Sequence, residues 1–134
     1  MLQNDLYQYL TTADGIASLF PGGVHHMSIP QDVNEWPAMA FQLISEFEFA
    51  EDMEAPNDAK LDQANYQFTI TANQSALATA AADAFHAIFR NFRGTMGATR
   101  VQAISVGNVN HLEERRGDKL RRAVVLDYSI NFDV

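Results

Sequence analysis

The sequence contains no cysteine, few basic residues and no long apolar run. Without cysteine there is no disulfide scaffold, no thiolate zinc site and no thiol nucleophile. Nine Lys and Arg against 17 Asp and Glu give a net charge of −8. This charge disfavours free nucleic-acid binding, because that function needs a basic surface. No apolar stretch approaches the ~18 residues that a membrane-spanning helix needs.

The first ten residues carry Asp5 and no basic side chain, a pattern that does not fit a secretory signal peptide. We therefore expect a soluble protein made in a cytoplasm, with no membrane partner. The 134 residues, of which 47% are hydrophobic, predict a single folded domain over 1–134. That hydrophobic content argues against a disordered chain.

Hydrophobic periodicity predicts an α+β fold, in which an antiparallel or mixed sheet of about four long strands carries one long Ala-rich helix across one face. A short helix precedes the sheet at the N-terminus. We place the short helix at 4–12, a short strand at 24–29, the long strands at 38–49, 65–71, 100–108 and 120–133, and the long helix from 73 or 75 to 92. The remaining stretches are predicted to be a long acidic loop (50–63), a glycine turn (94–97) and a charged turn (109–119).

The long helix is expected to face the sheet with one apolar stripe. Its members are Leu77, Ala81, Ala84, Phe85, Ile88 and Phe92. The side-chain oxygen of Asn73 or Ser75 is expected to cap its first turn. In the strand at 100–108 apolar residues occupy both parities, which allows a β-bulge.

The strand residues predicted to face away from the helix are polar but mostly uncharged. They are Gln42, Asn65, Gln67, Thr69, Thr71, Ser129 and Asn131. Neutral polar side chains suit a wet protein interface, whose centre is depleted of charge. We therefore predict that this face, including Thr69 and Thr71, meets a neighbouring subunit or ring; the alternative is a solvated sheet face.

Charge is divided unevenly along the chain, because residues 1–62 sum to −10 and residues 63–134 to +2. An acidic cluster precedes the second long strand and consists of Glu46, Glu48, Glu51, Asp52 and Glu54. A basic cluster occupies the last hairpin and consists of Arg115, Arg116, Lys119, Arg121 and Arg122. Opposite charges favour docking between copies, so we predict that the basic cluster binds the acidic region of a neighbour. A solvated, internally balanced turn is the alternative.

Trp36 is the only tryptophan and precedes Pro37 in a loop. Tryptophan is enriched among the residues that dominate binding energy at interfaces. Two interpretations stay open: Trp36 packs beneath the edge of the sheet, or it anchors an interface.

Four segments taken in order resemble the tail-completion, or tail terminator, proteins of long-tailed bacteriophages and phage-derived particles. They are "LYQYLTTADGIASLF", "HHMSIPQDVNEWPAMAFQL", "YQFTITANQSALATAAADAFHAIF" and "RRAVVLDYSINFDV". The resemblance covers nearly the full chain and lies in the ordered pattern, since no single motif carries chemistry.

The resemblance implies a structural virion protein and not an enzyme. It implies a homo-oligomeric ring, six-fold in the family, that caps the tail tube, ends tube polymerisation and joins the tail to the head-side connector or stopper protein. On this resemblance, a tail-tube or connector surface is an alternative partner for the basic cluster. DNA would pass through the lumen without specific binding, and no cofactor is expected. The location implied is the head-proximal end of the tail, after assembly in the cytoplasm of a bacterial host. Another neck or head-completion protein is the first alternative, and a small-ligand-binding α+β domain is the second.

No catalytic, cofactor or metal site is predicted. His25 and His26 are adjacent on a strand, so their side chains point to opposite faces and chelate one ion poorly. Glu46 and Glu48 lie about 7 Å apart along one strand face, and no glycine-rich pocket or positioned partner accompanies this pair of carboxylates. Solvated carboxylates at a strand edge are therefore favoured over acid–base chemistry.

Overall fold

The structure is a computed structural model that describes residues 2–27, 29, 35–48, 62–97, 99–116 and 119–133. Within these ranges, three helices and six strands follow one another. They are α1 (Leu2–Thr12), α2 (Asp14–Ala17), β1 (Val24–His26), β2 (Ala38–Glu48), β3 (Asp62–Ala72), α3 (Ser75–Phe89), β4 (Gly94–Met96), β5 (Thr99–Arg116) and β6 (Lys119–Asp133).

The strands form one six-stranded half-barrel sheet in the order β1-β2-β3-β6-β5-β4. Only β1 and β2 run parallel; the other neighbouring pairs are antiparallel. The predicted α+β arrangement of about four strands under one long helix is therefore wrong, because the chain is mostly sheet and its helices are short. β1 and β4 have three residues each, too few to give a period-two signal.

β5 is longer than predicted and continues to Arg116 through most of the predicted charged turn. Charged residues there pair across the ladder with β6, as in Glu113 with Arg122. Opposite charges facing each other across an antiparallel pair favour a strand over a turn. The predicted bulge is confirmed, since the register shifts between Val101 and Ala103 and again between Val106 and Val109.

The predicted acidic loop is shorter than expected at its C-terminal end, because β3 begins at Asp62. Most of that loop, residues 50–61, lies outside the described residues. The predicted glycine turn at 94–97 is partly wrong, since Gly94–Met96 forms β4 and pairs with the start of β5.

An aromatic cluster fills the space between the sheet and α3. Phe68 is fully buried at its centre, with ring centroids 5.2–6.3 Å from those of Phe41, Tyr66, Phe85, Phe89 and Tyr128. Such pairs add about 0.5–1.5 kcal/mol each beyond the area that they bury. This cluster packs α3 against the sheet at the centre of the core.

α3 faces the sheet with a stripe that differs from the predicted one. Its buried residues are Ala78, Ala81, Ala82, Phe85 and Phe89, whereas Leu77 and Ile88 are exposed. The contact with the sheet therefore combines three small alanines with the two large rings of Phe85 and Phe89. The helix is preceded by Gln74 and has no side-chain cap, so capping by Asn73 or Ser75 is not observed.

α1 is joined to the start of β5 by a part-buried hydrogen bond. The hydroxyl of Thr99, which is fully buried, donates to the Asp5 carboxylate at 2.6 Å. Gly97 lies against the same carboxylate, where a Cβ atom would approach Asp5 Oδ1 to 2.4 Å, and its φ is +59°. Only glycine adopts this positive φ without strain and also leaves room for the Asp5 carboxylate.

Candidate assembly interface

The face of the sheet opposite α3 carries two rows of hydrogen-bonded polar side chains. In the first row Gln42 donates to Gln67 at 3.1 Å, and Gln67 donates to Asp127 at 3.3 Å. Each row crosses β2, β3 and β6 and ties three strands together. The residues on this face were predicted to be polar, and their mutual pairing is what the structure adds.

The second row runs parallel to the first. The Asn65 amide donates to Ser45 at 2.7 Å, and the Ser129 hydroxyl donates to Asn65 at 2.6 Å. Because the groups pair with one another, they are held in fixed orientations and still have free hydrogen-bonding capacity. A preorganised, nearly neutral surface of this kind suits a wet interface.

One end of this face is already covered by the chain itself. Trp36 packs with Ile29 over Ala38 and Ala40, and the guanidinium carbon of Arg121 lies 4.5 Å from the centre of the indole ring. Residues 35–37, which contain Trp36, lie close to the turn before β1. The Gly22 amide donates to the Pro37 carbonyl at 3.0 Å, and a Cβ atom at Gly22 would clash with the Glu35 carbonyl. This packing agrees with the interpretation that Trp36 packs beneath the edge of the sheet. Because the indole is only half-buried, its role as an interface anchor stays a prediction.

Thr69 and Thr71 occupy different environments on this face. Thr69 is half-buried, whereas Thr71 is 1% exposed and pairs with Ala38 and Ala123 at the covered end. Thr71 therefore presents no surface to a partner. Of these two threonines, only Thr69 stays a candidate interface residue.

In the described part of the chain, the sheet is open along both of its outer long strands. β1 pairs with Met39–Phe41 of β2, and β4 pairs with Thr99–Val101 of β5. No strand among the described residues lies on the outer side of 42–48 or of 103–116. Such unpaired edges are templates for pairing with another chain.

Exposed apolar side chains cluster on these open edges. Leu43 and Ile44 of β2 are 38% and 56% exposed, and Val106, Val109 and Leu112 of β5 are 42%, 50% and 54% exposed. Surface apolar residues on an unpaired strand mark an interaction site or an aggregation hazard. The sequence prediction missed all five as interface residues; the apolar residues on both parities of β5 were the signal that could have indicated them.

The described members of the predicted acidic cluster, Glu46 and Glu48, lie at the opposite end of the sheet from the basic hairpin. Glu46 is exposed on β2, and Glu48 pairs with Asp62 at the far end of that strand, its side chain outside the described part. Glu51, Asp52 and Glu54 lie outside the described residues.

The charge of Glu46 also acts on a buried neighbour, Tyr66. Burial is the larger cause and the negative charge of Glu46 the smaller one, and together they raise the pKa of the Tyr66 hydroxyl to about 12.

The basic cluster lies in the β5–β6 hairpin, which extends beyond the last residue of β3. Arg115, Arg116 and Lys119 are in its strands, and their side chains lie outside the described part. Arg122 forms an ion pair with Glu113, and Arg121 stacks on Trp36. Because Glu46 and Glu48 are at the opposite end of the sheet, a contact between them and the basic cluster requires two copies of the chain.

The described residues hold no group of three or more His, Cys, Asp or Glu side chains arranged as metal ligands. His25 is hydrogen-bonded to the Gly22 carbonyl at 2.9 Å, and His86 Nδ1 to the Tyr128 hydroxyl at 2.7 Å.

A shallow cleft of about 290 Å³ lies over the polar rows between Ile44 and Gly107. Within the described part of the chain, no helix is long and apolar enough to cross a membrane.

No protein-family model matches the sequence, and no curated protein matches it. Among solved structures, the chain resembles one from the virion of a native gene transfer agent particle, with a TM-score of 0.63 and 16% identity. That match covers 98% of this chain and 95% of the other. A second solved chain covers 99% of this one at 16% identity, but its TM-score is only 0.46. The first match shows that the two chains share a fold over nearly their whole length.

Proposed function

We propose that this protein is a structural subunit of a phage-type particle, and more specifically a tail terminator that closes into a ring. The observation that carries the proposal is the full-length fold likeness to a chain of a gene transfer agent virion. The order of sequence segments that resembles tail terminators supports the finer assignment, as do the open sheet edges and the polar face.

Assembly through these surfaces would explain how the protein acts. A ring seated on the last ring of the tail tube would cover the surface on which the next tube subunit adds, and its other side would bind the head-side connector. The two ends of the sheet differ in charge, with Glu46 and Glu48 at one end and the basic hairpin at the other. Unlike charge at the two ends gives such a ring two chemically different sides.

The deciding experiment uses tail tubes growing in vitro from the tube protein of the same particle. Adding this protein should narrow and shorten the distribution of tube lengths in electron micrographs, and the capped tubes should join heads. Unchanged tube lengths and unchanged head joining would refute the terminator assignment.

A charge-reversal variant tests the role of the hairpin. Arg115→Glu with Arg116→Glu should weaken capping at low salt, because it changes the sign of the projecting tip. The control is Arg90→Glu with Arg93→Glu, two exposed residues, which makes the same change in net charge away from the tip. If the tip variant caps as the parent does, the hairpin is a solvated turn.

A further inference from the structure

The two open edges of the sheet match each other chemically, rung by rung. A rung here is a set of residues directly opposite one another across β2, β3, β6 and β5. Leu43, Tyr66, Tyr128 and Val106 form one rung on the side of α3. Its two inner members are buried tyrosines, and its two ends, Leu43 and Val106, are the partly exposed apolar residues of the open edges.

The neighbouring rung ends in hydroxyl groups at both edges. It consists of Ser45, Asn65, Ser129 and Ser105 and lies on the opposite face of the sheet. Ser45, Asn65 and Ser129 form the second hydrogen-bonded row, and Ser105 is the exposed fourth member at the β5 edge. The first rung therefore ends in an apolar side chain at each edge, Leu43 and Val106, and the second ends in a serine at each edge, Ser45 and Ser105.

The free stretches of the two edges also lie at the same level of the sheet. β1 covers the β2 edge as far as Phe41, and β4 covers the β5 edge as far as Val101. The rungs of Leu43 and Ser45 therefore fall where neither edge is covered by a described strand. A β-bulge occurs beside this position on each edge, between Leu43 and Ser45 on β2 and between Val106 and Val109 on β5.

We propose that the β2 edge of one copy pairs with the β5 edge of the next, which joins the sheets of successive copies. The occupant of each edge is therefore a second copy of this chain. Pairing at matched rungs places Leu43 against the neighbour's Val106 on the α3 side, and Ser45 against the neighbour's Ser105 on the polar side. The contact buries apolar surface and extends a row of hydrogen bonds.

The direction of pairing follows from the topology. β2 and β5 run in opposite directions, because each of the three steps from β2 to β3 to β6 to β5 is antiparallel. Rotation about an axis along the strands preserves strand direction, so β2 meets the neighbour's β5 in antiparallel fashion. Such a head-to-tail contact uses two different surfaces and closes into a ring when the rotation allows.

The inference rests on the proposed function only in requiring assembly of copies, and it is tested by cross-linking. The chain has no cysteine, so Ser45→Cys and Ser105→Cys introduce the only thiols, at exposed sites. A short bismaleimide should convert the double variant into a ladder of covalent species beyond the dimer. Each single variant should stay monomeric on a denaturing gel, because head-to-tail pairing never brings two copies of one position together.

Ser45→Cys with Ser75→Cys is the matched control. Ser75 is an exposed serine at the start of α3, so this pair should give no ladder. Amide hydrogen exchange is a second measurement that needs no substitution. Assembly should slow exchange in 42–46 and 104–108 and leave the exposed surface of α3 unchanged.

The outcomes separate this inference from the proposed function. Rings in electron micrographs without a ladder from the double variant would overturn the edge pairing and leave the terminator assignment standing. A dimer from Ser105→Cys alone would show two-fold β5–β5 pairing and would also overturn it. Absence of any assembly, with the protein free or on tail tubes, would overturn both.

Discussion

Leu43→Ser is expected to weaken assembly in addition to any cost to the stability of the subunit itself. Leu43 is 38% exposed in the isolated chain, so about three fifths of its side chain is already buried. Full burial of such a side chain contributes about 1.5–3 kcal/mol, and burial of the remaining part in an interface would contribute about 1 kcal/mol. Each interface should therefore weaken about fivefold.

Val106→Ser removes the opposite member of the same proposed contact and carries a similar exposed fraction, 42%. Combining the two substitutions affects both sides of every interface, and the upper limit is about 2 kcal/mol, or about 30-fold. Neighbouring substitutions are not additive, so a double-variant effect smaller than the product of the single effects would itself indicate direct contact.

Leu77→Ser is the matched control, because Leu77 is 37% exposed but lies on α3. Native mass spectrometry over a series of protein concentrations measures the assembly constant, and thermal unfolding at the lowest concentration measures the subunit alone. Leu43→Ser should shift assembly while Leu77→Ser does not, and the two should melt alike. Equal effects on assembly from Leu43→Ser and Leu77→Ser would refute the reasoning.

Three further predictions concern the stability of the subunit. Phe68→Ala should destabilise it by about 3–5 kcal/mol, because Phe68 is fully buried in the aromatic cluster; a denaturant midpoint close to that of the parent would contradict this. Asp5→Ala should cost about 1–3 kcal/mol by leaving the buried Thr99 hydroxyl without its acceptor, whereas Asp5→Asn, which keeps an acceptor oxygen, should cost less in the same unfolding measurement. Because burial raises the pKa of Tyr66 from 10.0 to about 12, the folded state keeps its proton where the unfolded state loses it. Tyr66 should therefore lower stability between pH 10 and 12 by at most about 1.4 kcal/mol per pH unit, and Tyr66→Phe should reduce the slope of pH-dependent unfolding by that contribution, while Tyr9 and Tyr128, whose pKa values burial also raises, keep theirs.

The long strands and the core side of the sheet follow from local pattern. Tyr66, Phe68 and Ile70 alternate with polar residues, and they are buried on one face as predicted. In β6, Val124, Leu126 and their alternate neighbours are likewise buried. Period two is a property of the strand itself, so it is visible in sequence wherever one face of a strand is buried and the other is polar.

β4, the helix contact and the edge could not be predicted in this way. The short strand predicted at 24–29 contains β1, whereas β4 exists because hydrogen bonds to the start of β5 stabilise three residues that have no pattern of their own. The α3 stripe depends on how closely alanines let the helix approach, and that distance is a tertiary quantity. Likewise, whether Leu43 is inside or outside depends on where α3 stops covering the sheet.

By itself, the sequence determined the approximate positions of the long strands, the side of β3 and β6 that faces the core, the neutral polar face and the unequal charge of the two parts of the chain. These are local properties, set by side-chain type and spacing. Only the tertiary structure decided which strands lie at the edges of the sheet, that Thr71 is covered while Leu43 and Val106 are not, and that Leu43 and Val106 end the same rung. Edge position and rung matching arise from pairing between residues far apart in the chain, and such pairing leaves no periodic trace in the sequence.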